Sequence, residues 1–232
     1  MSFNRDIQLD PNRVQTRSGG GRGAVIGGGS ILTVIAVLLI SQLTGVDLTS
    51  MLGAQQQTGT TTSTASSIDT SVCTSGDSAN KYTQCRMVAT AESLDAVWTE
   101  QLPAQAGLKY AKPEFVLWDG TQISSACGNA SSAVGPFYCS GDRTVYLDMS
   151  FFSEMERSLG AADTPLAEEY IVAHEFGHHI QHLTGQMAKA DRSGSGATSD
   201  SVRLELQADC YAGIWVNHAS STPDPDTGKP FL

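Results

Sequence analysis

Four of the five histidines in this 232-residue chain lie close together, at positions 174, 178, 179 and 182. His174 and His178 are one helical turn apart, so on an α-helix their imidazoles share a face and can reach the same cation. Glu175 is turned by about 100° from His174 and flanks that position, where it can accept a proton from a metal-activated water. The pattern His-Glu-x-x-His therefore predicts a hydrolytic zinc site with Glu175 as general base.

A catalytic zinc usually takes three protein ligands and leaves a fourth position open. His182 does not fit as the third ligand, because on one straight helix it lies about 12 Å from His174 along the axis. Glu205 offers a carboxylate on a second predicted helix, and Asp209 follows it by one turn on the same face. We therefore predict that His174, His178 and Glu205 bind the metal and that Asp209 accepts a hydrogen bond from His174.

Two other roles stay open. His179 and His182 are interpreted as surface residues or as residues that support the ligands. A developing oxyanion needs a hydrogen-bond donor, and the alternative hypotheses for that donor are His218, Tyr146, Tyr211 or a residue beyond the end of the given chain.

The metal-site helices have recognisable signals. Thr164 and Pro165 predict an N-cap and a first helical position, and Gly185 is placed to end the same helix. Gly177, inside that helix, costs about 1 kcal/mol relative to alanine, which predicts a close approach by another backbone. A second, largely apolar helix is predicted from about Ser201.

The rest of the domain mixes helical and strand patterns. Apolar spacing predicts a helix from Met87 to Gln101 that Pro103 ends, and a further helix over Phe151–Leu159. Short apolar runs bounded by turn residues predict strands at Glu114–Gly120 and Thr144–Asp148.

The start of the chain has the composition of a membrane anchor. Residues 1–23 are polar and glycine-rich and are predicted to be a disordered cytoplasmic segment. Residues 24–46 carry no charge and would form a helix about 34 Å long, which predicts a single transmembrane helix. A cleaved signal peptide is the alternative. Residues 47–71 are predicted to be a flexible linker, and residues 72–232 to be the folded domain.

Charges and cysteines bear on location. Arginines precede the predicted span and Asp47 follows it, which predicts a single-pass protein of the cell membrane with the domain outside the cytoplasm. Such a compartment permits disulfides, and proximity favours two pairs, although connectivity stays open: Cys73 with Cys85 and Cys127 with Cys139. The remaining cysteine, at position 210, is predicted to be a buried thiol.

The net charge of the chain is −10. The first 23 residues hold four arginines and two aspartates, so ten basic and twenty-two acidic residues follow them. Nucleic acid and anionic lipid head groups are therefore poor partners for the domain.

These motifs resemble a known group of enzymes. HEFGH followed by ELQAD looks like the gluzincin arrangement of HExxH plus ExxxD. The wider set is similar to the bacterial family of neutral zinc metallopeptidases, and it includes Ser125–Gly128, Gly135–Cys139, Val145–Asp148, His174–His179 and Glu205–Cys210. Proteins of that family usually continue further, so the C-terminus is expected to be incomplete.

The resemblance implies a zincin-like α+β domain with one zinc ion. We expect a small sheet whose edge strand lies over the HExxH helix, and a second helix that brings Glu205. The function predicted is that of a membrane-anchored, extracytoplasmic peptidase that hydrolyses peptide or protein substrates. The alternative is an inactive zinc-containing binding or scaffold module of the cell envelope. Glu175 argues against that alternative, because a structural site needs ligands but no flanking base.

Overall fold

The computed structural model describes residues 2–19, 68–159, 164–191 and 193–232. Strands within these residues are β1 (Gln15–Gly19), β2 (Glu114–Gly120), β3 (Gln122–Ser125), β4 (Gly128–Ser131), β5 (Phe137–Cys139) and β6 (Thr144–Asp148). The α-helices are α1 (Gly76–Lys81), α2 (Thr83–Ala106), α3 (Phe151–Leu159), α4 (Pro165–Leu183), α5 (Gln186–Lys189) and α6 (Asp200–Ala219).

Four strands form the main sheet in the order β1-β2-β6-β5, with the first three parallel and β5 antiparallel at one edge. Strands β3 and β4 form a separate antiparallel hairpin. Successive side chains of a strand point to opposite faces of the sheet. Phe115 and Leu117 accordingly enter the main core with α2, α4 and α6, whereas Val116 and Trp118 enter a smaller cluster on the other face.

The predicted α+β class with a small sheet is confirmed, and so are the bounds predicted for β2, β6 and α3. The predicted end of α2 at Pro103 is wrong, since the helix continues to Ala106. Gly107 ends it instead, in the left-handed conformation with φ 66°, and its N–H donates to the Pro103 carbonyl. A proline lacks only its own N–H, and its carbonyl still accepts the bond that closes the last turn.

The predicted disorder of the N-terminal segment is wrong for residues 2–19, which pack into the domain. Strand β1 pairs in parallel with β2, with Gln15 opposite Val116. The Asn4 N–H donates to the Phe231 carbonyl near the other end of the chain. Four apolar side chains of the segment are buried in the main core: Phe3, Ile7, Leu9 and Val14.

A buried ion pair fastens this segment to α2. The Arg13 guanidinium donates to both carboxylate oxygens of Asp95, at 2.6 and 3.2 Å. Asp95 is only 3% exposed, and it also accepts from the Tyr110 hydroxyl and lies 3.2 Å from the Lys112 ammonium. Removing either partner of such a pair leaves an uncompensated buried charge. The folded unit is therefore larger than the predicted domain of residues 72–232.

The fold class is corrected in one further respect. The predicted transmembrane helix, residues 24–46, and most of the predicted linker lie outside the described residues. Within the described part of the chain, no helix is both long and apolar enough to cross a membrane. Pairing of β1 with β2 also requires residues 15–19 and 114–120 to lie in the same compartment.

Both predicted disulfides are confirmed. Cys73 is bonded to Cys85 and Cys127 to Cys139. The second bond joins the β3–β4 connection to β5. The prediction that Cys210 is buried is wrong, because this thiol is exposed. It lies one turn from Leu206, which is 53% exposed, on a face of α6 that points to solvent.

Candidate metal centre

Helices α4 and α6 form the scaffold of the site. The predicted start of α4 is confirmed, with Thr164 as N-cap accepting from the Ala167 N–H and Pro165 at the first position. The two helices pack closely at Gly177, where an added Cβ would lie 2.8 Å from the Ala208 carbonyl oxygen. The close backbone approach predicted from this glycine is therefore confirmed, and it brings the ligand faces of the two helices together.

The three predicted ligands converge. The Nε2 atoms of His174 and His178 lie 3.1 and 3.4 Å from Oε2 of Glu205. One ligand atom from each residue falls within 4.8 Å of the others. Glu205 is 4% exposed, and its Oε1 is buried with no hydrogen-bond partner among the described residues. Two imidazole nitrogens, a carboxylate and an unsatisfied buried oxygen suit a zinc ion.

The other nitrogen of each imidazole is also held. His174 Nδ1 lies 2.9 Å from Asp209 Oδ1, as predicted, and His178 Nδ1 lies 2.9 Å from Oε1 of Gln181. Both partner atoms are acceptors, so each ring carries a proton on Nδ1, and Nε2 is the nitrogen that can bind a metal once its own proton is displaced. The Tyr170 hydroxyl donates to the same Asp209 oxygen at 3.2 Å.

Gln181 and Tyr170 are residues that the sequence reasoning missed. Tyr170 precedes His174 by four residues and Gln181 follows His178 by three, so both lie on the ligand face of α4. A search for polar side chains at those offsets would have found them.

The site without a cation attracts protons. Burial disfavours a charged imidazole, but hydrogen bonds to Asp209 and Glu205 outweigh burial and raise the pKa of His174 to about 10. Burial alone would raise the pKa of Glu205, yet hydrogen bonds from the two histidines lower it to about 2. A metal must displace those protons, so its binding is coupled to proton release.

Glu175 flanks the convergent ligands. It is 8% exposed, and burial raises the pKa of its carboxyl, although both ligand histidines act in the opposite direction. The Tyr138 backbone N–H, on β5, also interacts with this carboxylate. The edge strand of the sheet therefore lies over the HExxH helix, as predicted. A carboxylate with a raised pKa is a stronger base than an exposed one.

His179 is not a surface residue. It is fully buried, donates from Nε2 to the Ala111 carbonyl at 2.6 Å, and accepts at Nδ1 from the Tyr138 hydroxyl at 3.0 Å. Burial lowers its pKa to about 4, so the ring is neutral at pH 7. His182 is partly buried and stacks on His179. His179 thus fixes Tyr138, whose backbone reaches Glu175.

The structure does not bring the proposed oxyanion donors to the ligands. His218 is thirteen residues beyond Glu205 on the continuous helix α6, a distance of about 20 Å along the axis. The Tyr146 hydroxyl donates to Asp142, and its side chain belongs to the cluster on the far face of the sheet. Tyr211 packs edge-on against Trp98. The assignment of His218 is therefore wrong.

Comparison with known proteins agrees with this geometry. The sequence profile of the family described as "Putative neutral zinc metallopeptidase" matches residues 6–225. The chain is 45% identical over 192 residues to the uncharacterized protein Rv2575 of Mycobacterium tuberculosis, covering 83% of this chain and 63% of that protein. It is 36% identical over 209 residues to the uncharacterized protein YpfJ of Escherichia coli K12, covering 87% and 67%.

The chain thus spans less than two thirds of the length of its mycobacterial relative. No solved structure matches it. The family profile extends over nearly all of the chain and includes all three convergent ligands. The chain therefore belongs to the neutral zinc metallopeptidase family.

Proposed function

We propose that this chain is a zinc-dependent peptidase in which His174, His178 and Glu205 hold the metal and Glu175 is the general base. The observation that carries the proposal is the convergence of the three ligand atoms beside the buried carboxylate of Glu175, which is not needed as a ligand. A site that only joined two helices would need the ligands but not Glu175.

Each group of the site has a separate role in the proposed hydrolysis. Zinc, when bound, acidifies a water molecule and polarises a carbonyl group. Glu175 accepts the proton of the attacking water and delivers it to the leaving amine. Asp209 and Gln181 hold the two imidazoles so that their Nε2 atoms face the metal. The Tyr138 N–H orients the Glu175 carboxylate from the side of the sheet.

The edge strand supports a peptide as the substrate class. In the described part of the chain, β5 pairs with β6 on one side and with no strand on the other. An extended peptide can add to such an edge through main-chain hydrogen bonds. Because Tyr138 in β5 also contacts Glu175, a peptide along β5 would pass beside the general base.

The disulfides support a location outside the cytoplasm. Disulfides persist in oxidising compartments and are rare in the cytosol. Cys73, Cys85 and Cys139 are fully buried, so these bonds are parts of the core. We place residues 2–19 in the same compartment as the domain, because β1 belongs to its sheet.

Glu175→Gln in the full chain tests the enzyme. The change keeps side-chain size and leaves the three ligands intact, so zinc content and the thermal midpoint should match the wild type. Peptide hydrolysis should fall by at least about 10²-fold, the low end of what general acid–base catalysis contributes. Turnover of a quenched-fluorescence peptide library, measured on zinc-loaded protein, checks the expectation.

Glu205→Ala is the matched control, because it removes a ligand and spares the base. It should lose both zinc after dialysis and activity. Equal hydrolysis by wild type and Glu175→Gln, with contaminating protease removed, would refute the proposed peptidase mechanism. A wild type that binds zinc but cleaves no peptide would favour the binding or scaffold module.

A further inference from the structure

Gln181 is an uncharged side chain that hydrogen-bonds one of the predicted ligands. It is fully buried, and its Oε1 lies 2.9 Å from His178 Nδ1. Its Nε2 donates to the backbone carbonyl of Leu204 at 2.6 Å. Leu204 directly precedes Glu205 in α6. A single amide thus links the second ligand to the turn of helix that carries the third.

The two contacts fix the orientation of the amide. The Leu204 carbonyl can only accept, so the amide NH₂ must face it and the amide oxygen must face His178. That oxygen can only accept, so His178 must carry its proton on Nδ1. Nε2, the atom that lies 3.4 Å from Glu205, is therefore the nitrogen of His178 that can bind a metal once its own proton is displaced. In the reversed orientation the amide oxygen would face the Leu204 carbonyl oxygen and the amide NH₂ would face the N–H of His178. Each buried mismatch of this kind costs about 1–3 kcal/mol.

The two histidines are held in different ways. His174 is held by a carboxylate, Asp209, which Tyr170 also contacts. His178 is held by a neutral amide that is tied to the neighbouring helix. Four carboxylates at Glu175, Glu205, Asp209 and a hypothetical acid at position 181 would crowd one small site. An amide supplies the acceptor without adding charge.

We propose that Gln181 is a positioning residue of the metal centre, which holds His178 in the Nδ1–H tautomer and sets its distance to Glu205. The inference rests on the proposed zinc site and deepens it. Residues that orient metal ligands in this way typically contribute about 10- to 100-fold to metal affinity. The opposing view is that Gln181 only fills space between α4 and α6.

Gln181→Met in the full chain separates the two views. Methionine has a similar volume and no polar group, so packing is largely kept while both hydrogen bonds are lost. The ring tautomer of His178 is read from the ¹⁵N shifts of its side chain in the metal-free protein, at a pH high enough for the ring to be neutral. Zinc affinity is measured at pH 7 by competition with a chromophoric chelator. Gln207→Met, two residues beyond Glu205, is the matched control.

We expect the wild type and Gln207→Met to show the Nδ1–H tautomer and zinc affinities within about twofold of each other. Gln181→Met should populate the Nε2–H tautomer and bind zinc about 10- to 100-fold more weakly. An unchanged tautomer and unchanged affinity in folded Gln181→Met would overturn the proposal.

Gln181→Glu keeps the experiment decisive if Gln181→Met does not fold. It retains side-chain length and an oxygen facing His178, so it should keep the Nδ1–H tautomer. Loss of that tautomer in the folded Gln181→Glu chain would overturn the proposal. A wild type that binds no zinc would instead refute the proposed function. The tautomer of the metal-free chain would still test the role of Gln181, so the two failures can be told apart.

Discussion

The metal centre and the N-terminal segment are attached to the same core in contrasting ways. Helices α4 and α6 are joined by polar side chains that face each other across a single interface, from Tyr170–Asp209 at one end to Gln181–Leu204 at the other. Residues 2–19 are joined by apolar burial, strand pairing and an ion pair between residues 82 positions apart. Changes in the helix pair should therefore affect metal binding first, and changes in the segment should affect folding first.

Removing residues 2–19 should have the largest effect on folding. Full burial of a large apolar side chain contributes about 1.5–3 kcal/mol, and a whole domain is stable by only about 5–15 kcal/mol. A fragment of residues 68–232 should therefore show no cooperative unfolding transition by circular dichroism. The four buried side chains it would lack are Phe3, Ile7, Leu9 and Val14.

A peptide of residues 2–19 added to that fragment is the control. Because β1 pairs through its backbone along β2, the peptide should restore a cooperative transition that depends on its concentration. A fragment that unfolds at the same temperature as the full chain would show that the segment contributes little. The contrast between the two regions would then be lost.

The helix interface is tested by Gly177→Ala. Alanine is the better helix former by about 1 kcal/mol, but its Cβ would lie 2.8 Å from the Ala208 carbonyl oxygen. We expect the free energy of unfolding to fall by about 1–3 kcal/mol, as for other overpacked cores. Zinc affinity should fall as well, because Glu205 moves away from His174 when α6 is pushed outward.

Gly213→Ala is the matched control for this change. Gly213 is also helical, but an added Cβ there meets nothing within 4 Å. The control should gain about 0.5–1 kcal/mol of stability and leave zinc affinity unchanged. If Gly177→Ala were as stable as Gly213→Ala in urea titrations, the close approach would not constrain the site.

The sequence predicts the site better than it predicts the fold around it. His174, Glu175 and His178 stand at helical offsets, and Gly177 signals contact with a second helix, so local geometry leads to Glu205 and Asp209. Nothing local to residues 2–19 identifies their partner, because apolar residues there are few and widely spaced. The burial of His179 depends in the same way on Ala111 and Tyr138, which are distant in sequence.

The wrong assignment of His218 has the same origin. A shared helix pattern shows which face a residue occupies but says little about distance unless the axial rise is counted. The wrong prediction of disorder for residues 2–19 differs in kind. Composition described residues 1–23 correctly as polar, but β1 lies at the edge of the sheet with residues 15–18 exposed, so it forms a strand without an apolar run.

A pH-dependent effect is expected at Glu92, on α2, where the segment meets the core. Its Oε1 accepts from the Asp10 N–H at 2.7 Å. Burial raises the pKa of Glu92 from 4.5 to about 8, and the carboxylates of Asp10, Asp95 and Asp224 act in the same direction. The folded chain therefore keeps a proton on Glu92 at pH values where the unfolded chain has lost it.

This difference predicts how stability changes with pH. Between pH 4.5 and about 8 the folded state binds more protons at Glu92 than the unfolded state, so its contribution to stability falls as pH rises. Glu92→Gln does not titrate and keeps an oxygen for the Asp10 N–H. The variant should therefore gain stability relative to the wild type between pH 5 and pH 8, as measured by urea unfolding. Glu100 is exposed on the same helix, so the plot of stability against pH for Glu100→Gln should run parallel to that of the wild type. Parallel curves for Glu92→Gln and the wild type would mean that Glu92 ionises as readily in the folded chain as in the unfolded one.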